Sequence, residues 1–352
     1  MDKDTVSMHF VRAAVAQLPP AERAQVLAMA GISSELLGVA QARVPATAFA
    51  ALWLAVAQTM DDEFFGLDAR RMKVGSFALL CHAVLHSENL ERALKRTLRA
   101  FALFLDDISG HLQQVDGQAI IRVKNRITDS AHRRFADETF LVMVHGLMCW
   151  LAGRRVALAQ AEFAYSRPDH AREYSVMFSQ ELRFDAAATA ITFDARWLQA
   201  PVVQNAESLK TFLRNAPQSV FLKYKNQDGW TARVRRRLRA NIGSLDWPLL
   251  EDLAREFHLA PTTLRRRLEA EGGSYQVLKD ELRRDAAIHQ LCRSTLSVAE
   301  IAERLGFADA SAFHRAFKKW SGVQPGEYRR RESGTAGHKG GAEKPQVGTR
   351  VG

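Results

Sequence analysis

Toward its C-terminal end the chain repeats one plan. "PLLEDLAREFHLAPTTLRRRLEAEG" reads as a short helix, a tight break at His258-Leu259-Ala260, and a second helix opened by Pro261. Proline suits a first helical turn because its missing N–H would be unsatisfied there anyway. "SVAEIAERLGFADASAFHRAFKKWSG" follows the same plan, with its break at Gly306-Phe307 and Asp309 as the cap of its second helix. Ala254 corresponds to Ala302, Leu259 to Phe307, and the pair Leu264/Leu268 to Phe313/Phe317. Residues four apart share a helix face, so each pair closes a small core against the preceding helix and turn. Between the units, "SYQVLKDELRRDAAIHQLCRS" has helical spacing throughout. The pattern predicts an all-α C-terminal domain of two helix-turn-helix units joined by a helix.

The outward faces then matter. With Leu264 and Leu268 inward, Arg266 lies almost opposite, with Thr262 and Arg265 at its sides and Glu269 nearby. In the second unit Arg315 lies opposite Phe313 and Phe317, beside Ser311, His314 and Lys318. The second helix of such a unit enters a DNA major groove, where arginine pairs two-pronged with guanine and Ser, Thr and His reach base edges or phosphates. Thr262, Arg265, Arg266, Ser311, His314 and Arg315 are therefore the expected base-reading set. Adjacent residues lie about 100° apart on a helix. Arg267 accordingly turns back toward the domain body, to a phosphate or an acidic neighbour. Lys318 and Lys319 are expected on phosphate. Residues 228–331 carry 20 Lys and Arg against 14 Asp and Glu, so +6 of the chain's net +10 falls here. That balance favours double-stranded DNA as partner.

The rest of the chain reads differently. "FVRAAVAQLPPAERAQVLAMAG" is helical on both sides of Pro19-Pro20, and "ATAFAALWLAVAQTM" is a strongly apolar helix. "SENLERALKRTLRAFALFL" has Ser87 as an expected N-cap and apolar spacing at Leu90, Ala93, Leu94 and Leu98. "HLQQVDGQAIIRVK" alternates around Asp116-Gly117, a hairpin signal. "RRFADETFLVMVHGLMCWLAG" returns to helix and stops at Gly153, while "RVALAQAEFAYSRP" and "AITFDA" read as strands. The expected organisation is an α+β domain over 1–215, a linker over 216–229, the helix-turn-helix domain over 230–331 and a disordered tail over 332–352. The tail, from Glu332 on, lacks any apolar face to bury.

"LAPTTLRRRLEAEGGSYQVLKDELRRDAA" and "SVAEIAERLGFADASAFHRAFKKWSGVQPGEYR" resemble the AraC/XylS family of bacterial transcription regulators. The second stretch, with I-A-x-x-x-G-F, F-x-R-A-F-K and G-x-x-P-x-x-Y-R, is the more specific. More weakly, "FFGLDARRMKVGSFALLCHAVLHSENLERAL" and "DETFLVMVHGLMCWLAG" are similar to the arabinose-binding-like sensing domain of one subfamily, a label that does not imply arabinose. The resemblance implies a cytoplasmic DNA-binding activator or repressor whose paired motifs occupy successive major grooves. It also implies RNA polymerase as a partner and an N-terminal domain that senses a small molecule, dimerises, or both. One departure is Ala260, where family members commonly carry Ser or Asn; losing a capping side chain costs about 1 kcal/mol, partly offset by Pro261.

Other candidates are weaker. His82 and His86, four apart beside Cys81, have metal-ligand spacing but no third ligand nearby in sequence, so no metal is expected. Asp106-Asp107 and Asp137-Glu138 could be acid/base carboxylates, though adjacent acids usually mark helix ends. No phosphate loop or nucleophile elbow occurs, so no catalytic residue and no cofactor are expected. The alternative function is a thiol-dependent enzyme fused to a DNA-binding module. It needs an activated cysteine, whereas Cys81 and Cys149 sit in apolar helices; three scattered cysteines fit a reduced compartment. The Phe, Leu and Met side chains of the N-terminal half suit a mostly apolar effector pocket, or simply a core. The basic helix from Arg233 to Arg239 could touch DNA or be a solvated face packed by Trp230, Val234 and Leu238. No membrane span is expected.

Overall fold

The computed structural model describes residues 5–39, 41–221, 230–242, 247–270 and 274–333. In the N-terminal half a short ribbon pairs β1 (Thr5–Ser7) with β2 (Arg43–Pro45). A five-stranded sheet contains β3 (Ile108–Val115), β4 (Gln118–Asn125), β5 (Leu158–Glu162), β6 (Leu182–Arg183) and β7 (Ala190–Asp194). Its order is β3-β4-β7-β5-β6, antiparallel except between β5 and β6. The β3–β4 turn has positive φ at both Asp116 (48°) and Gly117 (75°). A turn of that hand matches the right-handed twist of the strands, which is why Asp-Gly signals a hairpin here.

Helices cover this sheet. They are α1 (Met8–Ala14), α2 (Pro20–Met29), α3 (Ala46–Met60), α4 (Ser76–Leu85), α5 (Leu90–Phe104), α6 (Ser130–Leu151), α7 (Ala171–Met177) and α8 (Ala206–Arg214). Every residue of α6 from Phe135 to Leu151 is buried. A helix buried on all sides is the spine of a domain, and here it packs on α1, α5 and β4. The cap of α5 is Asn89, whose side chain accepts from Arg92 N (3.0 Å), and not Ser87. Asn89 is itself extended (φ −147°, ψ 173°) because it bridges Pro201, with Leu90 N donating to Ala200 O (2.9 Å), so the helix starts only beyond it.

The segment read as a linker begins with a further short helix, α9 (Gln218–Phe221). Val220 is buried against Gly146 of α6, and the Phe221 ring stacks on Trp53 of α3 (centroids 6.3 Å apart, planes 4° apart). Two apolar side chains thus hold the chain on the N-terminal domain as far as Phe221. Residues 222–229 of that segment, and the tail beyond Ser333, lie outside the described residues.

The C-terminal domain comprises α10 (Trp230–Ala240), α11 (Leu250–Glu256), α12 (Pro261–Ala270), α13 (Tyr275–Arg293), α14 (Val298–Arg304), α15 (Ala310–Ser321) and α16 (Pro325–Ser333). α11–α12 and α14–α15 are the two helix-turn-helix units, and α13 joins them. Their cores are separate. Leu264 and Leu268 share a cluster with Val234 and Leu238 of α10, Leu253 of α11 and Leu282 of α13; none of its buried residues comes from the second unit or the N-terminal domain, and only the partly buried Ile242 borders both clusters among the described residues. Phe313 and Phe317 belong instead to a cluster continuous with the N-terminal core.

The second unit is held on the N-terminal domain by polar contacts around β2. Arg43 pairs with Glu173 of α7 through both terminal guanidinium nitrogens, the longer contact being 3.1 Å. Its Nε donates to Thr5 Oγ1 (2.8 Å), and Thr5 Oγ1 donates to Asp285 Oδ1 of α13 (2.7 Å). The Tyr328 hydroxyl of α16 donates to the Arg43 carbonyl. Burial pushes the Glu173 carboxyl up, but the Arg43 guanidinium outweighs it and holds the carboxyl below its ordinary range.

Candidate nucleic-acid interface

The reading helices are built as the periodicity predicts. In the first unit the break carries His258 at φ 55°, and α12 then opens at Pro261 with Leu264 N donating to Ala260 O (3.1 Å). In the second, Asp309 Oδ1 accepts from Ala312 N (2.6 Å), and Ser297 and Glu300 form a capping box at the head of α14. Leu264, Leu268, Phe313 and Phe317 are all buried. Thr262, Arg265, Arg266 and Glu269 are exposed on α12, as are Ser311, Arg315, Lys318 and Lys319 on α15.

Several other cations of this domain have intramolecular partners. Arg235 pairs with Glu281 (2.7 Å) and Arg237 with Glu256 (2.8 Å). Arg233 lies over the rings of Trp230 (4.2 Å) and Phe257 (4.9 Å). The basic face of α10 is thus largely engaged in packing. By contrast, the side chains of Arg265, Arg266, Arg315, Lys318 and Lys319 make no hydrogen bond, ion pair or ring contact among the described residues. They are exposed charges available to an external anion.

Two residues of the expected set are placed differently. Arg267 turns back toward the domain body, but among the described residues it meets no acid: half-buried, its guanidinium stacks on Trp230 at 4.4 Å. Arg233 and Arg267 both lie over that ring and clip α10 to α12. His314 is half-buried, its Nδ1 2.9 Å from Gln324 Oε1, so it faces the start of α16 more than the groove side.

Arg283 of α13, which the pattern did not single out, ties the two units together. It lies over Trp247 (5.1 Å) and Phe307 (4.7 Å), and its Nη2 donates to Gly306 O in the turn of the second unit (2.8 Å). Burial lowers the affinity of its guanidinium for a proton. The sequence signal for it was slight: an arginine on the amphipathic connecting helix, with both aromatic partners distant in the chain.

In the N-terminal half most of the candidate chemistry resolves into structure. Cys81 is buried while His82 and His86 are exposed, so that trio does not converge. Burial pushes the Cys81 thiol far above its ordinary range, and Cys149 is equally buried, accepting from Val156 N (3.3 Å). Neither is an accessible, activated thiol. Asp107 accepts from Ala69 N, and Asp68 from Asp106, Asp107 and Ile108 N; these carboxylates organise loops. An open cleft of about 590 Å³ adjoins α8. Trp150 and Phe212 give it apolar walls, and its other seven lining residues are polar.

Asp137-Glu138 does not mark a helix end; both acids lie buried inside α6. Asp137 accepts from Asn125 (2.8 Å) and Thr189 (2.6 Å). Glu138 faces two histidines that no motif in the sequence connected to it, His9 of α1 and His170 at the start of α7. Burial pushes the Glu138 carboxyl up, and His170, His9 and Tyr174 together outweigh that, so it is held below its ordinary range.

Residues 21–202 match the model of the arabinose-binding domain of AraC transcription regulators, and residues 253–331 match a helix-turn-helix domain. The chain is 32% identical over 260 residues to the ornithine utilization regulator of Pseudomonas aeruginosa, covering 74% of this chain and 76% of that one. An uncharacterized HTH-type transcriptional regulator of Mycobacterium tuberculosis is 27% identical over 281 residues, 78% of this chain and 81% of its own. HTH-type transcriptional regulator VqsM of P. aeruginosa is 24% identical over 73% of this chain and 80% of its own. Among the described residues no helix is long and apolar enough to cross a membrane. A first domain matched over more than half the chain, followed by a matched helix-turn-helix domain, leads to one conclusion: this protein belongs to the AraC family of transcription regulators.

Proposed function

We propose that this regulator grips successive major grooves of its operator with α12 and α15. Thr262, Arg265, Arg266, Ser311 and Arg315 read bases, and Lys318 and Lys319 hold phosphate. Arg267 positions α12 through Trp230, and His314 contributes at the edge of its helix. The observation that carries this reading is the partition of the cations: those on the two outward faces have no partner among the described residues, while several elsewhere in the domain are paired or stacked. The N-terminal domain binds a small-molecule effector and dimerises, because linkage of two basic domains multiplies affinity without new contacts. The protein works in the cytoplasm, contacts RNA polymerase at its promoters and has no enzymatic activity.

The test begins with in vitro selection of the operator from random DNA. Binding of Arg266→Ala and Arg315→Ala is then measured on operator and random duplexes across a salt series. Loss of a two-pronged base contact costs about 1–3 kcal/mol, confined to the operator. Lys318→Ala weakens both DNAs alike and lowers the salt slope by about one. Equal weakening of both DNAs by Arg266→Ala would refute its reading role. For the effector, a thermal-shift panel led by ornithine, after which the P. aeruginosa relative is named, looks for stabilisation by mass action.

A further inference from the structure

The cluster around Glu138 is built like a ligand set. His170 Nε2 lies 3.1 Å from Glu138 Oε1, and His9 Nε2 lies 3.8 Å from Glu138 Oε2. The three donor atoms all fall within 4.8 Å of one another. Donors about 2.1 Å from a tetrahedral ion sit roughly 3.4 Å apart, so the three donors must draw together and the stacked rings must rotate apart to face one ion, with water in the fourth position. Glu138 is 1% exposed, yet its Oε2 has no hydrogen-bond partner among the described residues, and neither does the buried His9 Nε2. Buried polar atoms are rarely left this way. The two imidazole rings stack with centroids 3.4 Å apart and planes 19° apart.

The surroundings fit as well. The Tyr174 hydroxyl donates to Glu138 Oε1 and lies 3.1 Å from the Tyr165 hydroxyl. Such outer contacts orient a ligating carboxylate. The His9 side chain is 28% exposed, which provides an entry path from solvent. Two nitrogens and one carboxylate suit a borderline transition-metal ion and not calcium or magnesium, which take oxygen ligands.

We propose that His9, Glu138 and His170 form a binding site for a divalent transition-metal ion of the zinc type, and that its occupancy stiffens the docking of the second helix-turn-helix unit. The connection is short. His9 follows β1 within two residues, and His170 precedes Glu173 by less than one helical turn. Thr5 of β1 and Glu173 are the residues that hold Arg43, and through it α13 and α16.

The full chain is freed of metal with a chelator, and Zn²⁺ binding is measured by equilibrium dialysis, with Co²⁺ absorption as the report on ligand type. One ion per chain is expected, with His9→Ala and His170→Ala each weakening binding by at least about tenfold and His82→Ala leaving it unchanged. Protection of wild-type His9 and His170 by Zn²⁺ against diethyl pyrocarbonate, mapped by mass spectrometry, gives the same answer if a variant fails to fold. Absence of stoichiometric binding, or binding and protection that ignore His9 and His170, overturns the site. Hydrogen exchange around β2 and in α13 should slow at least about tenfold with Zn²⁺ if docking stiffens; unchanged exchange with the ion bound overturns the coupling.

Discussion

The separate core of the first helix-turn-helix unit makes Leu264→Ala an informative perturbation. Leu264 is fully buried in a cluster of ten buried residues that does not include any from the N-terminal domain. Truncating a buried leucine costs about 2–5 kcal/mol, the lost transfer energy plus the cavity left behind. A unit of about 50 residues holds only about 2.5–8 kcal/mol at 0.05–0.15 kcal/mol per residue. A loss near 3 kcal/mol changes its folding equilibrium about a hundredfold, enough to open it locally. Phe313→Ala, in the second unit, costs about 3–5 kcal/mol but draws on a core continuous with the N-terminal domain. Calorimetry and hydrogen exchange separate the two. Leu264→Ala should leave the main transition in place, deprotect amides of α11 and α12, and abolish operator binding. Phe313→Ala should lower the main transition itself. If Leu264→Ala lowers the main transition as much as Phe313→Ala does, the two cores form one cooperative unit and the reasoning fails.

Further predictions concern single contacts. A Cβ at Gly146 would overlap the Val220 carbonyl oxygen, so Gly146→Ala should push α9 off α6, read as increased proteolysis near Phe221 at a cost of about 1–3 kcal/mol. Arg267→Ala should destabilise the first unit by about 0.5–2 kcal/mol through loss of the Trp230 stack and leave the salt slope of DNA binding unchanged; a slope lower by one would make it a phosphate contact after all. Arg283→Lys keeps the charge but loses stacking on Trp247 and Phe307, so operator affinity should fall more than random-DNA affinity in a filter-binding comparison. Ser297→Ala should lower stability by about 1 kcal/mol through loss of the α14 cap, measured by denaturant titration.

Periodicity made much of this architecture readable in advance. Leu264/Leu268 and Phe313/Phe317 mark the buried faces of α12 and α15, Asp116-Gly117 marks the β3–β4 turn, and Asp309 marks a helix start. Such signals are local: they depend on residues within one or two turns, or across one hairpin. The short strands β1, β2 and β6 carried too little pattern to be seen, and α9 was hidden because Val220 and Phe221 find their partners only on α6 and α3.

By itself, then, the sequence determined the second helices of two helix-turn-helix units, which of their faces is buried, and an excess of positive charge around them. Only the tertiary structure decided which positive charges remain available. Arg267 is taken by Trp230, Arg237 by Glu256 and Arg235 by Glu281, while Arg266 and Arg315 are left exposed. The same holds for His9, Glu138 and His170, which share one cluster although each comes from a different helix or its edge. The physical reason is that helical periodicity reports which side of a helix faces away from water. It carries no information about what a distant part of the chain places opposite that side, and ion pairing, ring stacking and metal-type donor sets all depend on that placement.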